Sequence, residues 1–497
     1  MRFKPKIVLL LLLCLMVPVS ASYAALEIDR GPIYGLLKKG LPLKNLEFAG
    51  YLKNETALRI AHGFDEFMKE ANIAQLQAEY KFNDNIQFFT TLKWFYDAVF
   101  ALENKYDRDP KWESKSNKKI KYPEKLQWLR ECYLDILTDR LDLRLGKQQV
   151  VWGTADGVRI LDIINPLDYR EWTLKDYIDT RIPLWMINAE GKLLMNGQLQ
   201  LLLIPDYEPN YFAPAGAPFT LRTVRLGAEA AEKVTTTTID QKPARDFEHT
   251  KIGLRWRNII EGHAFEYTLN YLHTYDFASS AYTARTAAGA FITRRAEQID
   301  VFGGTFSKTI TEGILIPGLA KGWTLRGEFA YIKGGAMNYG QSGAKVPVLG
   351  IDGSISGTVD VDQYNYVLGF DKTFFTNWQF SSQFIQMWAK QREKPPTFNK
   401  STMTLLNGVT RGPLDKVETI LTTMIATDFM HERLKPQILV IYGDDNDWRI
   451  SPKVSYEISD QWLVTAGLHF FEGKEIYLNG GQFDKNDQVF LELKYTF

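Results

Sequence analysis

The chain is short of cysteine. Its 497 residues include two, Cys14 and Cys132. Cys14 lies in a leader expected to be removed, so Cys132 stands alone. No internal disulfide can form, and the fold must hold by other means. Long apolar runs are equally scarce. After the leader no stretch reaches the ~18 residues that a membrane-spanning helix needs, and the mean hydropathy is −0.23. An excess of charge is missing too, with 59 Lys and Arg against 59 Asp and Glu. That balance gives no reason to expect nucleic acid or an acidic polymer as a partner. Catalytic signatures are absent: six histidines are present, with no Gly-x-Ser-x-Gly, His-Glu-x-x-His or haem-attaching Cys-x-x-Cys-His, and no Gly-rich phosphate loop before a helix. Asp444, Asp445, Asn446 and Asp447 crowd one tight turn and read as a solvated turn rather than a cation site. No catalytic residue, metal or cofactor is expected.

What is present begins with an address. Arg2, Lys4 and Lys6 precede the apolar run 7–18, and Ser22, Tyr23 and Ala24 precede Ala25. This is the pattern of a cleaved secretory signal over residues 1–24. Leu13 before Cys14 argues against lipidation. Cleavage removes three of the 59 basic residues and none of the 59 acidic, leaving 56 against 59, a net of −3. An exported chain without a spanning helix is either a large soluble protein or a barrel.

Alternation decides between them. Ala74, Leu76, Ala78, Tyr80 and Phe82 alternate with Gln75, Gln77, Glu79 and Lys81. Trp323, Leu325, Phe329 and Tyr331 alternate with Thr324, Arg326 and Glu328. Trp448, Ile450, Val454 and Tyr456 alternate with Arg449, Ser451, Lys453, Ser455 and Glu457, and Trp462, Val464, Ala466, Leu468 and Phe470 with Gln461, Thr465 and His469. Segments of ~10 residues with one apolar face suit a strand between lipid and water. His273 and His469 fall on such strands and read as wall residues. Recurrent Trp and Tyr near strand ends suit interfacial girdles. The last strand carries Val489, Leu491, Leu493, Tyr495 and Phe497 on one face, with Phe490 as the exception on the other. It resembles the closing strand of Gram-negative outer-membrane barrels, in which Tyr495 and Phe497 would be the signal read by the insertion machinery.

Short connections near 83–85, 138–140, 193–197, 258–262, 374–376, 430–433 and 459–460 alternate with long ones near 100–123, 151–182, 206–247, 278–295, 334–360, 391–415 and 472–486. Shorter outer ones fall near 61–70 and 443–447. The expected fold is therefore all-β: a transmembrane antiparallel β-barrel of about eighteen strands over residues 45–497, with sixteen fitting nearly as well. Short turns would lie in the periplasm and long loops outside. Residues 25–44 form a lead-in, either an amphipathic piece in the periplasmic mouth or a flexible tether. The inward faces would carry Glu79, Arg144, Arg255, Arg257, Arg326, Glu328, Lys453, Glu457 and Glu492. Both signs in similar number predict weak ion selectivity.

One long loop differs in kind. Residues 151–182 mix Ile160, Leu161, Ile163, Ile164, Leu167 and Leu174 with Trp152, Gly153, Asp156, Arg159, Asp162, Asn165, Pro166, Asp168, Arg170, Glu171, Trp172, Lys175 and Asp176. The segment is too apolar for free solvent and too charged for lipid. A place inside the lumen, on the wall and facing water, satisfies both sets, and the charged residues would then line a constriction. Asn165-Pro166 predicts a turn followed by two or three helical turns.

The run Leu145-Gly146-Lys147-Gln148 through Trp152-Gly153, with Asn165-Pro166-Leu167-Asp168, resembles the signature of the domain of unknown function 1302 family of outer-membrane proteins. Lys147 stands where members commonly have Arg. The resemblance implies an outer-membrane location, contact with its lipid and lipopolysaccharide, and work beside a periplasmic lipid-carrier protein and an inner-membrane pump. The expected function is a passive porin-like channel. An export path for lipids or hydrophobic compounds is the first alternative, and a barrel enzyme or adhesin the second.

Overall fold

A computed structural model describes residues 45–60, 66–102, 128–192, 197–214, 216–221, 236–278, 280–286, 289–311, 321–345, 352–392, 403–406, 413–414, 417–474 and 480–497. The expected signal peptide and lead-in, and the loop tips near 110 and 400, lie outside these residues.

Eighteen strands pair antiparallel, each with its neighbour in sequence. The first seven are β1 (Leu46–Arg59), β2 (Phe67–Asn83), β3 (Ile86–Asp97), β4 (Leu129–Leu137), β5 (Leu141–Gln148), β6 (Leu184–Lys192) and β7 (Gln198–Ile204). Then come β8 (Lys251–Ile260), β9 (Phe265–Tyr275), β10 (Gln298–Thr309), β11 (Trp323–Lys345), β12 (Asp352–Phe374) and β13 (Trp378–Gln391). The last five are β14 (Val417–Ala426), β15 (Leu434–Gly443), β16 (Asp447–Glu457), β17 (Trp462–Glu472) and β18 (Gln488–Thr496). The cylinder closes where Tyr51–Arg59 of β1 pair with Gln488–Thr496 of β18. Closure gives each of the eighteen strands a hydrogen-bonded neighbour on both sides, which is what lets a sheet stand in lipid.

Side chains sort by the parity of the pleat. Phe302, Phe329, Leu368, Phe370, Phe384 and Trp388 are exposed on the outer face. Aromatic pairs such as Tyr331–Tyr364 (ring centroids 4.8 Å apart) and Tyr442–Trp448 (4.4 Å) bridge adjacent strands. Phe490, the misfit of the last strand, points inward and stacks on His469 at 4.7 Å between centroids. Phe497 exchanges backbone hydrogen bonds with Gly50 (2.9 and 3.0 Å). A Cβ at Gly50 would lie 2.7 Å from the Phe497 ring, so this glycine lets the terminal ring lie over β1.

Three connections depart from expectation. Residues 334–345 and 352–360 are not a solvated loop but continue β11 and β12, to 23 residues each, over bulges at Ile332/Gly335 and Tyr339/Gly340. The connection 310–322, on the side of the short turns, is long. Residues 280–286 and 289–295 form a hairpin joined by Thr236–Gln241, a small sheet within connections expected only as long loops. Among the described residues no helix is long and apolar enough to cross a membrane.

Candidate functional site: the lumen and its inserted segment

Leaving β5, the chain turns into the barrel instead of outward. Asn165, fully buried, makes the turn: its Oδ1 accepts from the Val150 amide (2.8 Å) and its Nδ2 donates to the carbonyls of Gln148 (3.3 Å) and Ile182 (3.0 Å). One side chain thus staples the entry of the segment to its exit. The Ile182 amide adds a bond to the Pro166 carbonyl (2.8 Å).

The helix expected after Pro166 does not form. The Leu167 amide donates to Asn210 Oδ1 (2.7 Å), and Asp168–Tyr169 pair in parallel with Tyr211–Phe212. Trp172 then takes φ +51°, which ends any helical run. One helical turn, α1 (Tyr177–Thr180), is all that follows. Tertiary partners from the next long loop outcompete the local signal.

The first half of the segment packs on the wall, with Val151, Thr154 and Asp156 left exposed. Val150, Trp152, Ile160, Leu161 and Ile164 pack against inward residues of the wall from β6 to β15, among them Leu202, Leu272, Val301, Val367, Ile385 and Ile441. Trp152 is buried, donates from Nε1 to Gln200 Oε1 (2.7 Å), and its ring lies 2.9 Å from where a Cβ on Gly253 would stand. Arg255 reaches the Val151 carbonyl (3.0 Å). Arg159, Asp162 and Arg181 form a buried triad, with Asp162 Oδ2 accepting from Arg181 at 2.6 and 2.8 Å and 3.2 Å from Arg159 Nε.

Glu328 anchors the tip. The residue is 4% exposed. It accepts from three backbone amides of the segment: Thr154, Ala155 (2.6 Å) and Leu161 (3.2 Å). Beside it Arg326 donates to the Thr154 carbonyl (2.6 Å) and to Asp156 Oδ2 (2.8 Å), and pairs with Asp371. Gln383 Oε1 accepts from the Asp156 amide (3.0 Å). Gly157, at φ +83°, sits against Thr422 and Ile441 of the facing wall.

The second half is wet and charged. Glu171 pairs with Lys175 (2.5 Å) and Lys69, Lys69 with Glu55, and Glu55 with Lys53, an alternating ladder from the segment onto β2 and β1. Asp179 pairs with Lys93 (2.6 Å) on β3. Burial disfavours the ionised Asp179, but Lys93 and then Lys53 outweigh it and hold the carboxyl at about 2. Glu171 and Asp168 are likewise below the usual carboxylate range, burial being outweighed by Lys175 and Lys69 for the first and by Arg170 for the second. Arg170 grips Asp168 with two bonds (2.7 and 2.5 Å). Trp172 is buried among Phe219, Phe471 and Phe483. Arg449 donates to the Thr173 carbonyl (2.9 Å).

Between this charged half and the wall of β1–β4 and β13–β18 lies a cavity of ≈ 830 Å³. Seven cations line it (Lys53, Lys69, Arg130, Lys175, Arg449, Lys453, Lys494), and seven carboxylates (Glu55, Glu131, Asp156, Glu171, Asp176, Asp179, Glu492). The segment therefore fills one side of the lumen and leaves a polar cavity on the other.

The remaining inward charges sit towards the end of the barrel that carries the short turns. Arg144 pairs with Asp135 (2.6 Å), Arg257 with Glu266 (2.6 Å), Glu457 with Lys435 (2.6 Å) and Glu79 with Lys81 (3.3 Å).

The family described as protein of unknown function (DUF1302) matches residues 66–497. The chain belongs to the DUF1302 family. No curated protein matches it. Among solved structures, OccAB4 of Acinetobacter baumannii is similar at 11% identity and a TM-score of 0.48, covering 91% of this chain and 98% of that one. OpdK of Pseudomonas aeruginosa is similar at 9% identity and a TM-score of 0.47, covering 92% of this chain and 100% of that one. OmpF of Salmonella typhi is similar at 9% identity and a TM-score of 0.39, covering 91% of this chain and 97% of that one. The sequence of this DUF1302 chain did not single out Lys69, Lys93, Gln200 and Gln383, whose partners in the segment lie 48 to 227 positions away, or Glu55, which reaches the segment through Lys69. It also passed over the buried Ser451–His469 contact (2.9 Å), which forms between neighbouring strands. Arg449 Nε donates to the same Ser451 hydroxyl (3.2 Å), and no carboxylate is seen against His469 among the described contacts. The pair lacks the carboxylate that orients the histidine of a hydrolase triad.

Proposed function

We propose that the chain is a passive channel of the outer membrane for small solutes, with residues 151–182 as its constriction. The observation that carries this reading is the polar cavity beside the segment inside a closed barrel. A barrel of eighteen strands is wider than side chains alone can fill, and here the inserted segment supplies the missing core on one side. The charges on its other side are held by partners on the wall, so the passage keeps its width without a moving part. No nucleotide is available at the outer membrane to drive transport, so solute moves down its gradient or is pushed by a partner. Balanced lining charge favours neutral solutes and both ions alike.

Liposome swelling tests the reading. Vesicles holding the purified, heat-modifiable protein should swell in arabinose faster than empty vesicles, and slower in a trisaccharide. Equal rates for protein-bearing and empty vesicles would overturn it.

A further inference from the structure

Phe490 breaks the pattern of its strand, and a plain water-filled channel gives it no task. The inward residues around it are polar: Ser451, Lys453 and Ser455 on β16, and Gln488, Glu492 and Lys494 on β18, all bordering the cavity. Phe490 borders the cavity with them. It is half-buried, and it ends a run of rings that starts on the inserted segment. Trp172 meets Phe483, Phe483 meets Phe471, Phe471 meets His469, and His469 meets Phe490. The other four rings of the run are buried.

The ring is held in place. Lys453, Gly467 and Phe490 stand in one row across β16, β17 and β18. A Cβ on Gly467 would lie 2.6 Å from two carbons of the ring, so the glycine lets the ring lean over β17. His469 stacks on it nearly parallel, at 10° between planes. The imidazole is itself fixed by the Ser451 hydroxyl, which Arg449 holds in turn. The Ser451–His469 contact thus has a positioning task without any carboxylate: it sets the surface on which Phe490 rests. A ring locked by its neighbours is ready to meet a solute without first being ordered.

Two charges beside the ring are left for a solute. Among the described residues the side chains of Lys453 and Glu492 make no ion pair and no hydrogen bond, whereas Lys53, Glu55, Lys69, Glu171, Lys175 and Asp179 are all paired. Glu492 stands opposite Glu55 in the pairing of β18 with β1. An anionic solute drawn to Lys453 would be repelled by both carboxylates, and an amine drawn to Glu492 would be repelled by Lys453. A hydroxyl donates and accepts, while an ammonium only donates and a carboxylate only accepts. Neutral hydroxyls therefore satisfy both groups at once, and a ring of C–H groups edged with hydroxyls also covers Phe490. We propose that Phe490, Lys453 and Glu492 form a subsite in the passage for a monosaccharide in its ring form. One C–H face lies against Phe490, and hydroxyls bond to Lys453 and Glu492. This rests on the channel reading and gives it a solute class.

Saturation-transfer NMR on the full-length protein in amine-oxide micelles tests this, with the protein's amide protons irradiated and empty micelles as the blank. The probes are D-glucose, the open-chain polyol sorbitol, benzoate and phenylalanine. Transfer should reach the C–H protons of glucose and be weaker for the other three. Transfer to sorbitol as strong as to glucose would overturn the stacked ring, and stronger transfer to benzoate or phenylalanine would overturn the neutral class. Phe490→Leu should lose the glucose signal and His469→Leu should weaken it, both checked for heat-modifiability. Lys453→Met removes a side chain without a protein partner, so the barrel keeps its fold and the glucose signal should fall. A signal unchanged in Lys453→Met, or in a folded Phe490→Leu, would overturn the subsite. The transfer needs no flow. Glucose transfer without current in planar bilayers would sink the channel reading alone, and current without transfer would sink the subsite alone.

Discussion

Replacing Glu328 by alanine removes one acceptor and orphans three donors. The Thr154, Ala155 and Leu161 amides all point at its carboxylate. A buried donor left without a partner costs ~1–3 kcal/mol. Thr154 is exposed and Ala155 half-buried, so their amides recover part of that from water and the lower end applies to them. The sum is on the order of 3 kcal/mol, taken from the seating of the segment and not from the barrel, whose ten-pair seam between β10 and β11 is made by backbone. At about 1.4 kcal/mol per tenfold, the unseated fraction rises by about a hundredfold. Glu328→Gln keeps one carbonyl oxygen for two amides and presents an amino group to the third, so its effect is smaller and in the same direction. Both variants should remain heat-modifiable barrels. Their single-channel records should show a higher mean conductance and more noise, alanine more than glutamine. A folded Glu328→Ala protein with wild-type conductance and noise would refute the anchor role.

Other consequences follow from the same contacts. Lys69→Met leaves Glu55 and Glu171 facing each other without their shared cation, and should raise channel noise, whereas Lys81→Met in the mouth should not; identical records for the two would count against the ladder. Asp179 and Glu171 have folded pKa values below their ordinary ones, so their stabilisation is present above the ordinary carboxylate range, near pH 4, and is lost as pH falls through the folded values, toward about 2 for Asp179. Noise should grow across that window and Asp179→Asn should blunt the growth, while a flat profile would contradict it. Seven cations against seven carboxylates in the passage should give reversal potentials near zero in a salt gradient, and near-ideal selectivity for either sign would contradict that. Cysteine at Glu248, exposed on an outer loop, should react with an impermeant thiol reagent on whole cells, and cysteine at Asp84 or Asp460 should not; the reverse pattern would invert the topology.

Much of the barrel could be read from the chain because the pleat writes it there. Gln75, Gln77 and Glu79 against Leu76, Ala78 and Tyr80 declare two faces in every register. The composition of 151–182 declared its place by a similar conflict, between Ile160, Leu161 and Ile164 on one hand and Asp162, Glu171 and Lys175 on the other. The anchors were not legible. Glu328 was visible as an inward charge, but its partners are backbone amides, which every residue carries alike, more than 160 positions away. Asn165-Pro166 carried a true local signal for a turn and a misleading one for a helix, since Asn210 and Tyr211 take up the backbone that the helix would have used. That competition also weighs on how the segment is tested. Deleting residues 160–176 would leave Leu202, Leu272 and Val301 facing water inside the barrel, so substitutions at the anchors are the cleaner perturbation.

The central claim is an open polar passage beside the inserted segment, and current through single molecules measures it directly. Purified protein in planar bilayers should give discrete, stable, ohmic steps in potassium chloride, with the step size increased in Glu328→Ala. Folded protein that inserts and gives no steps, with the variant as silent as the wild type, would show that the segment closes the barrel and would contradict the account.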